Sequence, residues 1–200
     1  MTKETINEAE ERRRILSKLA AENMQAYAQP ASRWEADTLA EILELRRVTV
    51  ARPPRQQLME LGFEPYNCHA NCARQVELDE DKASRHVSGW LVHGHSLVLH
   101  SVVEMHGEWF CLTPQLQPAA QQFQFIPDPS IEWREASDGS SREPFRRGHP
   151  VPNTLRKHPE FFVRMGERFD ELIASGLSSE EAVAVVDATI GAELRQQAPI

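Results

Sequence analysis

Apolar residues follow two different periods along this chain, and the change of period divides it. From Thr2 to about Ala28 the spacing predicts a helix, with acidic residues filling its first turns, where the helix dipole favours them. Its apolar positions, Ile15, Leu16, Leu19, Met24 and Tyr27, are sparse and late, and Pro30 ends it. A second helix is expected from Ser32 or Trp34 to Arg47, with Trp34, Leu39, Ile42, Leu43 and Leu45 as its stripe. Pro53-Pro54 breaks the chain, and a short helix from Arg55 to Leu61 stops at Gly62. Asn67 is a natural N-cap for a helix from Cys68 to about Val76, and the acidic run Glu77 to Asp81 reads as an exposed turn.

The period then shortens to two. His86 to His93, Ser96 to His106 and Glu108 to Thr113 read as three strands. The middle run, Leu97-Val98-Leu99-His100-Ser101-Val102-Val103, has the β-branched content of a central strand. Gly94 marks the first turn, and His106-Gly107-Glu108 the second. Phe123 to Ile126 is a fourth candidate, closed by Pro127 and Pro129, and Ser137 to Pro152 reads as a loop. Helical spacing returns from His158 to Ser175, and Ser178-Ser179-Glu180-Glu181 forms a capping box for a last helix to about Gln196. The expected fold is α+β: a small antiparallel sheet with a cysteine-bearing helix packed on it, flanked by N-terminal and C-terminal helices. One domain is expected, made of a helical region at 1–53, a core at 54–130, and a loop with a helical pair at 131–200.

Composition narrows the chemistry. A net charge of −8 over 200 residues argues against a nucleic-acid or anionic-membrane binder, which needs a basic surface. No stretch approaches the apolar length of a membrane span, and the polar start carries no signal-peptide core. Three cysteines give no disulfide framework, so a reducing cytoplasm is the expected compartment. No phosphate-cradling glycine loop, dinucleotide fingerprint or Gly-x-Ser-x-Gly elbow is present. No cofactor is expected, and the oligomeric state is not readable.

The segment Tyr66-Asn67-Cys68-His69-Ala70-Asn71-Cys72, with His100 some thirty residues later, carries the chemistry. A thiol at a helix start meets free backbone N–H groups and the positive end of the dipole, which favour the thiolate that attacks. A strand histidine can take the thiol proton and return it to a leaving group. Cys68 is therefore the candidate nucleophile and His100 the candidate base. The N–H of Cys68, helped by Asn67 or Asn71, would hold an oxyanion. His69 could line a substrate groove, and Trp90 reads as core or as an aromatic wall over the cleft. Cys72 and Cys111 read as packing.

The Cys-His-x-Asn start, Gly89-Trp90, the His-Ser-Val-Val strand, the Gly107 turn and Thr113-Pro114 together resemble the papain-like and transglutaminase-like cysteine enzymes. The resemblance covers about Tyr66 to Pro114. It implies a cysteine at the start of a helix packed on an antiparallel sheet, a histidine on the next strand, and an acid or amide on the strand after that. It also implies hydrolysis of an amide or peptide bond, with a peptide or small amide as substrate. Such sequences commonly carry an aspartate just before the Thr-Pro, where this chain has Cys111-Leu112. The third member is left open among Thr113, Gln115 and Asn71.

Two other readings share these residues. A descendant without turnover would use the same fold for binding. Cys68, His69, Cys72, His93, His95, His100 and His106 are zinc-ligand types, but their spacing matches no finger, ribbon or knuckle, so no metal site is assigned.

Overall fold

The computed structural model describes residues 3–116, 119–136 and 142–200, with backbone only for 3–9, 12, 13, 16, 17 and 23. The chain clusters into two compact units: Met1–Ala36 with Arg156–Pro199, and Asp37–Leu155 with Ile200. The architecture is mixed α+β. Among the described residues no helix is long and apolar enough to cross a membrane.

The first unit is helical. α1 (Lys3–Tyr27) meets α5 (Pro159–Ala174) and α6 (Ser179–Val186), and α6 runs on through a π-helical turn at Asp187–Gly191 into α7 (Ala192–Arg195). Phe169, Leu172, Ala182 and Val186 are its buried centre, with Ala21 and Met24 of α1 against them. The expected capping box is present: the Ser178 hydroxyl accepts from Glu181 N–H at 3.3 Å, and Ser178 N–H donates to Glu181 Oε2 at 2.9 Å. Ile15 and Leu19, among the sparse apolar positions of α1, are about half exposed. Arg156 joins the ends of the unit by donating to Glu35 and to the carbonyls of Tyr27 and Gln29.

The second unit holds the sheet, which is more than the small antiparallel sheet expected. Strand β1 (Val48–Ala51) was not foreseen, because the helix before it was read through to Arg47, whereas α2 (Arg33–Leu43) stops earlier. The strands β2 (Ser84–His93), β3 (Ser96–Met105), β4 (Glu108–Phe110) and β5 (Gln122–Pro127) join it in the order β2-β5-β1-β4-β3. Pairing of β2 with β3 closes the five strands into a barrel. One contact, β1 with β4, is parallel. One apolar residue from each strand region fills the barrel: Val50, Val87, Val102, Cys111 and Phe125. Gly89 permits closure, because a Cβ there would lie 2.2 Å from the Ile126 carbonyl oxygen.

Alternation along β3 puts Val103 on the outer face. There it packs with Leu58 of α3 (Arg55–Glu60), Phe63, Leu112 and Cys72 of α4 (Cys68–Leu78). The segment read as a loop at 137–152 carries two strands, β7 (Arg142–Arg146) and β8 (His149–Pro150), which join β6 (Ile131–Glu135) just before it in a second sheet, while 137–141 lie outside the described residues. The polar side chains of β7 hid its period. Buried Arg146 anchors this sheet, donating to Asp128 Oδ2 at 2.8 Å and to Glu41 Oε2 at 2.7 Å. A last short strand, β9 (Thr154–Arg156), extends the main sheet beside β3.

Candidate active site

Helix α4 begins at Cys68, as its sequence predicted. The Asn67 carbonyl accepts the first helical bond, from Asn71 N–H at 2.9 Å, but the Asn67 side chain does not cap the helix. It donates to Glu64 Oε2 at 3.0 Å. Just before it, Tyr66 is left-handed at φ 60°, a conformation that costs an L-residue about 1–2 kcal/mol. Asn71 holds that turn. Its Oδ1 accepts from Glu64 N–H at 3.0 Å, and its Nδ2 donates to the carbonyls of Glu64 at 2.8 Å and Leu112 at 3.1 Å. Asn71 thus fixes the approach to Cys68 and ties it to the segment after β4.

Cys68 is half-buried. Burial raises its thiol pKa, while the N–H groups of Ser101, His69 and Cys68 itself oppose the rise and Cys111 adds to it. Cys72, one turn on, is enclosed, and burial drives its thiol far upward.

His100 is buried on β3, and its Nε2 lies 3.3 Å from the Cys111 sulfur. Among the described residues that is its hydrogen bond. Among the described residues none joins the ring to Cys68. The ring meets Phe123 edge-on, with centroids 5.9 Å apart. Burial lowers the His100 pKa to about 3, helped by the nearby charges of His69 and Arg52. Cys111 was assigned to packing. It does fill the barrel, and its sulfur also stands on the imidazole.

Among the described residues no hydrogen bond joins His100 to Thr113 or Gln115. Thr113 Oγ1 is buried without a hydrogen-bond partner, and Gln115 Nε2 donates to its own neighbour's carbonyl, Thr113 O, at 2.8 Å. Trp90 is fully enclosed and donates to Asp128 Oδ2 at 3.0 Å, which places it in the core.

His69 belongs to a polar cluster that sequence reasoning missed. Ser101 is fully buried, and its Oγ lies 2.6 Å from His69 Nδ1 and 2.7 Å from His86 Nε2. Ser88 Oγ is 3.4 Å away and accepts from Trp133 Nε1 at 2.9 Å, and Trp133 packs against the His69 ring at 4.2 Å. Burial and the charge of His86 lower the His69 pKa to about 4, so at neutral pH the rings are uncharged. A serine hydroxyl has one proton to donate and two lone pairs, which suits one donor ring and one acceptor ring. His69 follows Cys68, and Ser101 follows His100. Their contact therefore holds the candidate nucleophile's helix against the candidate base's strand. Ladder pairing of Ser88 with Ser101 was the available signal.

Among the described residues no group of three or more His, Cys, Asp or Glu side chains is arranged to hold a metal ion. No family model matches this chain, and no curated protein or solved structure matches it.

Proposed function

We propose that this protein carries out cysteine-dependent acyl transfer, hydrolysing an amide or peptide bond through Cys68 and His100, with Cys111 orienting the imidazole. One observation carries this reading. Cys68 opens α4, the His69–Ser101 contact at 2.6 Å ties that helix start to β3 beside His100, and His100 Nε2 lies 3.3 Å from Cys111 Sγ. With Nε2–H donating to sulfur, Nδ1 carries the lone pair a base needs. The Cys68 proton passes to Nδ1 as the sulfur bonds to the carbonyl carbon. The oxyanion is held by the N–H groups at the start of α4. The C–N bond then breaks, and Nδ1–H protonates the leaving amine. Water attacks the thioester and gives its proton to Nδ1, and the Cys68 sulfur recovers that proton as the acid leaves. The thiol pKa is raised and the imidazole pKa lowered, so thiol and base start uncharged and proton transfer accompanies attack.

A neutral resting pair also suits the second reading, a binding protein without turnover. Iodoacetamide labelling at neutral pH, read cysteine by cysteine by mass spectrometry, separates the two. Cys68 is expected to label at least tenfold faster than enclosed Cys72 and Cys111, and His100→Ala to slow it tenfold or more. Equal, slow labelling of all three thiols overturns the enzyme reading.

A further inference from the structure

Arg52 stands near His100 with hydrogen-bonding capacity unspent. It follows β1 where that strand meets the segment bearing Cys111, whose N–H donates to the Ala51 carbonyl at 2.9 Å. Its guanidinium carbon lies 4.2 Å above the centre of the Phe123 ring, the ring that meets His100 edge-on. Nη1 donates to the Ala120 carbonyl at 3.1 Å, but Nε is buried and has no partner among the described residues. Among the described residues no carboxylate pairs with Arg52. The two buried arginines differ: Arg146 holds Asp128 and Glu41, and Arg156 holds Glu35.

This placement has two costs. A buried donor without an acceptor costs about 1–3 kcal/mol. A cation near His100 also opposes protonation of the base. An apolar side chain could stack on Phe123 without either cost. Both disappear when an anion reaches the guanidinium, whose planar fork matches a carboxylate.

We propose that Arg52 is the specificity residue of this site and holds a carboxylate carried by the substrate close to the carbonyl that Cys68 attacks. The substrate class is then an acidic acyl compound, such as a peptide whose free C-terminal carboxylate neighbours the scissile bond. This inference rests on the acyl-transfer reading. It adds that the correct substrate neutralises the cation opposing His100, so the base strengthens as substrate docks.

The test compares iodoacetate, an anion, with iodoacetamide, its neutral counterpart, on the intact chain. The iodoacetate-to-iodoacetamide rate ratio at Cys68 is expected to fall at least tenfold in Arg52→Gln and less in Arg52→Lys. Taking the ratio within each variant removes any change in thiol reactivity. In the unsubstituted protein, N-acetylglycine is expected to protect Cys68 from iodoacetamide and N-acetylglycinamide is not, which keeps the test decisive if Arg52→Gln fails to fold. Labelling of Cys68 with an unchanged ratio in Arg52→Gln, or equal protection by both competitors, overturns the role of Arg52 and leaves the acyl-transfer reading standing. Cys68 as slow as Cys72 with both reagents overturns that reading and this inference with it.

Discussion

Replacing Cys111 by aspartate puts a carboxylate where a sulfur now lies 3.3 Å from His100 Nε2. A thiol is a weak acceptor, and the ring has a pKa of about 3. An opposite charge within hydrogen-bonding range raises an imidazole by about 1–3 units, which is about 1.4–4 kcal/mol in favour of the imidazolium. Residue 111 is fully enclosed, so desolvation of the new charge opposes the gain and the lower half of that range is expected. Cys111→Asn is the neutral control of matching shape. The assay is an NMR titration of the His100 ring in both variants, followed by iodoacetamide labelling of Cys68 against pH. His100 should titrate at least one unit higher with aspartate than with asparagine. Each unit should raise the thiolate–imidazolium population, and labelling near neutral pH, about tenfold. Equal His100 titration in the two variants would refute the orienting role of residue 111.

Two further outcomes concern stability. His100 titrates at about 3 in the folded chain, against about 6.5 for a free imidazole, so between these values the unfolded chain binds the extra proton and stability falls as pH falls. From pH 7 to pH 5 this single ring should remove about 2 kcal/mol, with a further loss from His69, lowered to about 4, reduced because its ring is partly open. Urea midpoints of the barrel unit at the two pH values measure it, and a midpoint rising on acidification contradicts the assignment. Gly89→Ala should cost about 3 kcal/mol or more, because its Cβ would lie 2.2 Å from Ile126 O and 2.7 Å from the Phe125 ring. An unchanged denaturation midpoint would show that β2 and β5 do not meet as described.

Sequence patterning carried the strand hairpins and the helix starts because each has a local cause. The turns fell at His93-Gly94 and His106-Gly107, where Gly94, His106 and Gly107 are left-handed. Cys68 opens its helix after Asn67, and Ser178 caps the last one. Non-local pairing was not legible. Val48–Ala51 is too short to show a period, and its partners stand about seventy residues later, at Gln122 to Phe125. Strands β7 and β8 carry Arg, Glu and Pro because they form a small separate sheet. Cys68 and His100 were legible as reactive types in a telling order. Cys111 was not, since a thiol serves equally as a small apolar filler, and here it does both. Asn71 was read as facing the reaction, yet its three hydrogen bonds go to the backbone at Glu64 and Leu112.

The barrel's connectivity has a consequence for how the chain must fold. Strand β1 is flanked by β5 on one side and β4 on the other, so its neighbours are made long after it. Loop closure over that span precedes any reward from pairing, which slows folding relative to local hairpins. On a ribosome the barrel cannot close until Pro127 has emerged. Cys68, Cys72 and Cys111 have all been synthesised by then, and none has its burial. Refolding from denaturant should therefore need a reductant, and its slow phase should report the docking of β1.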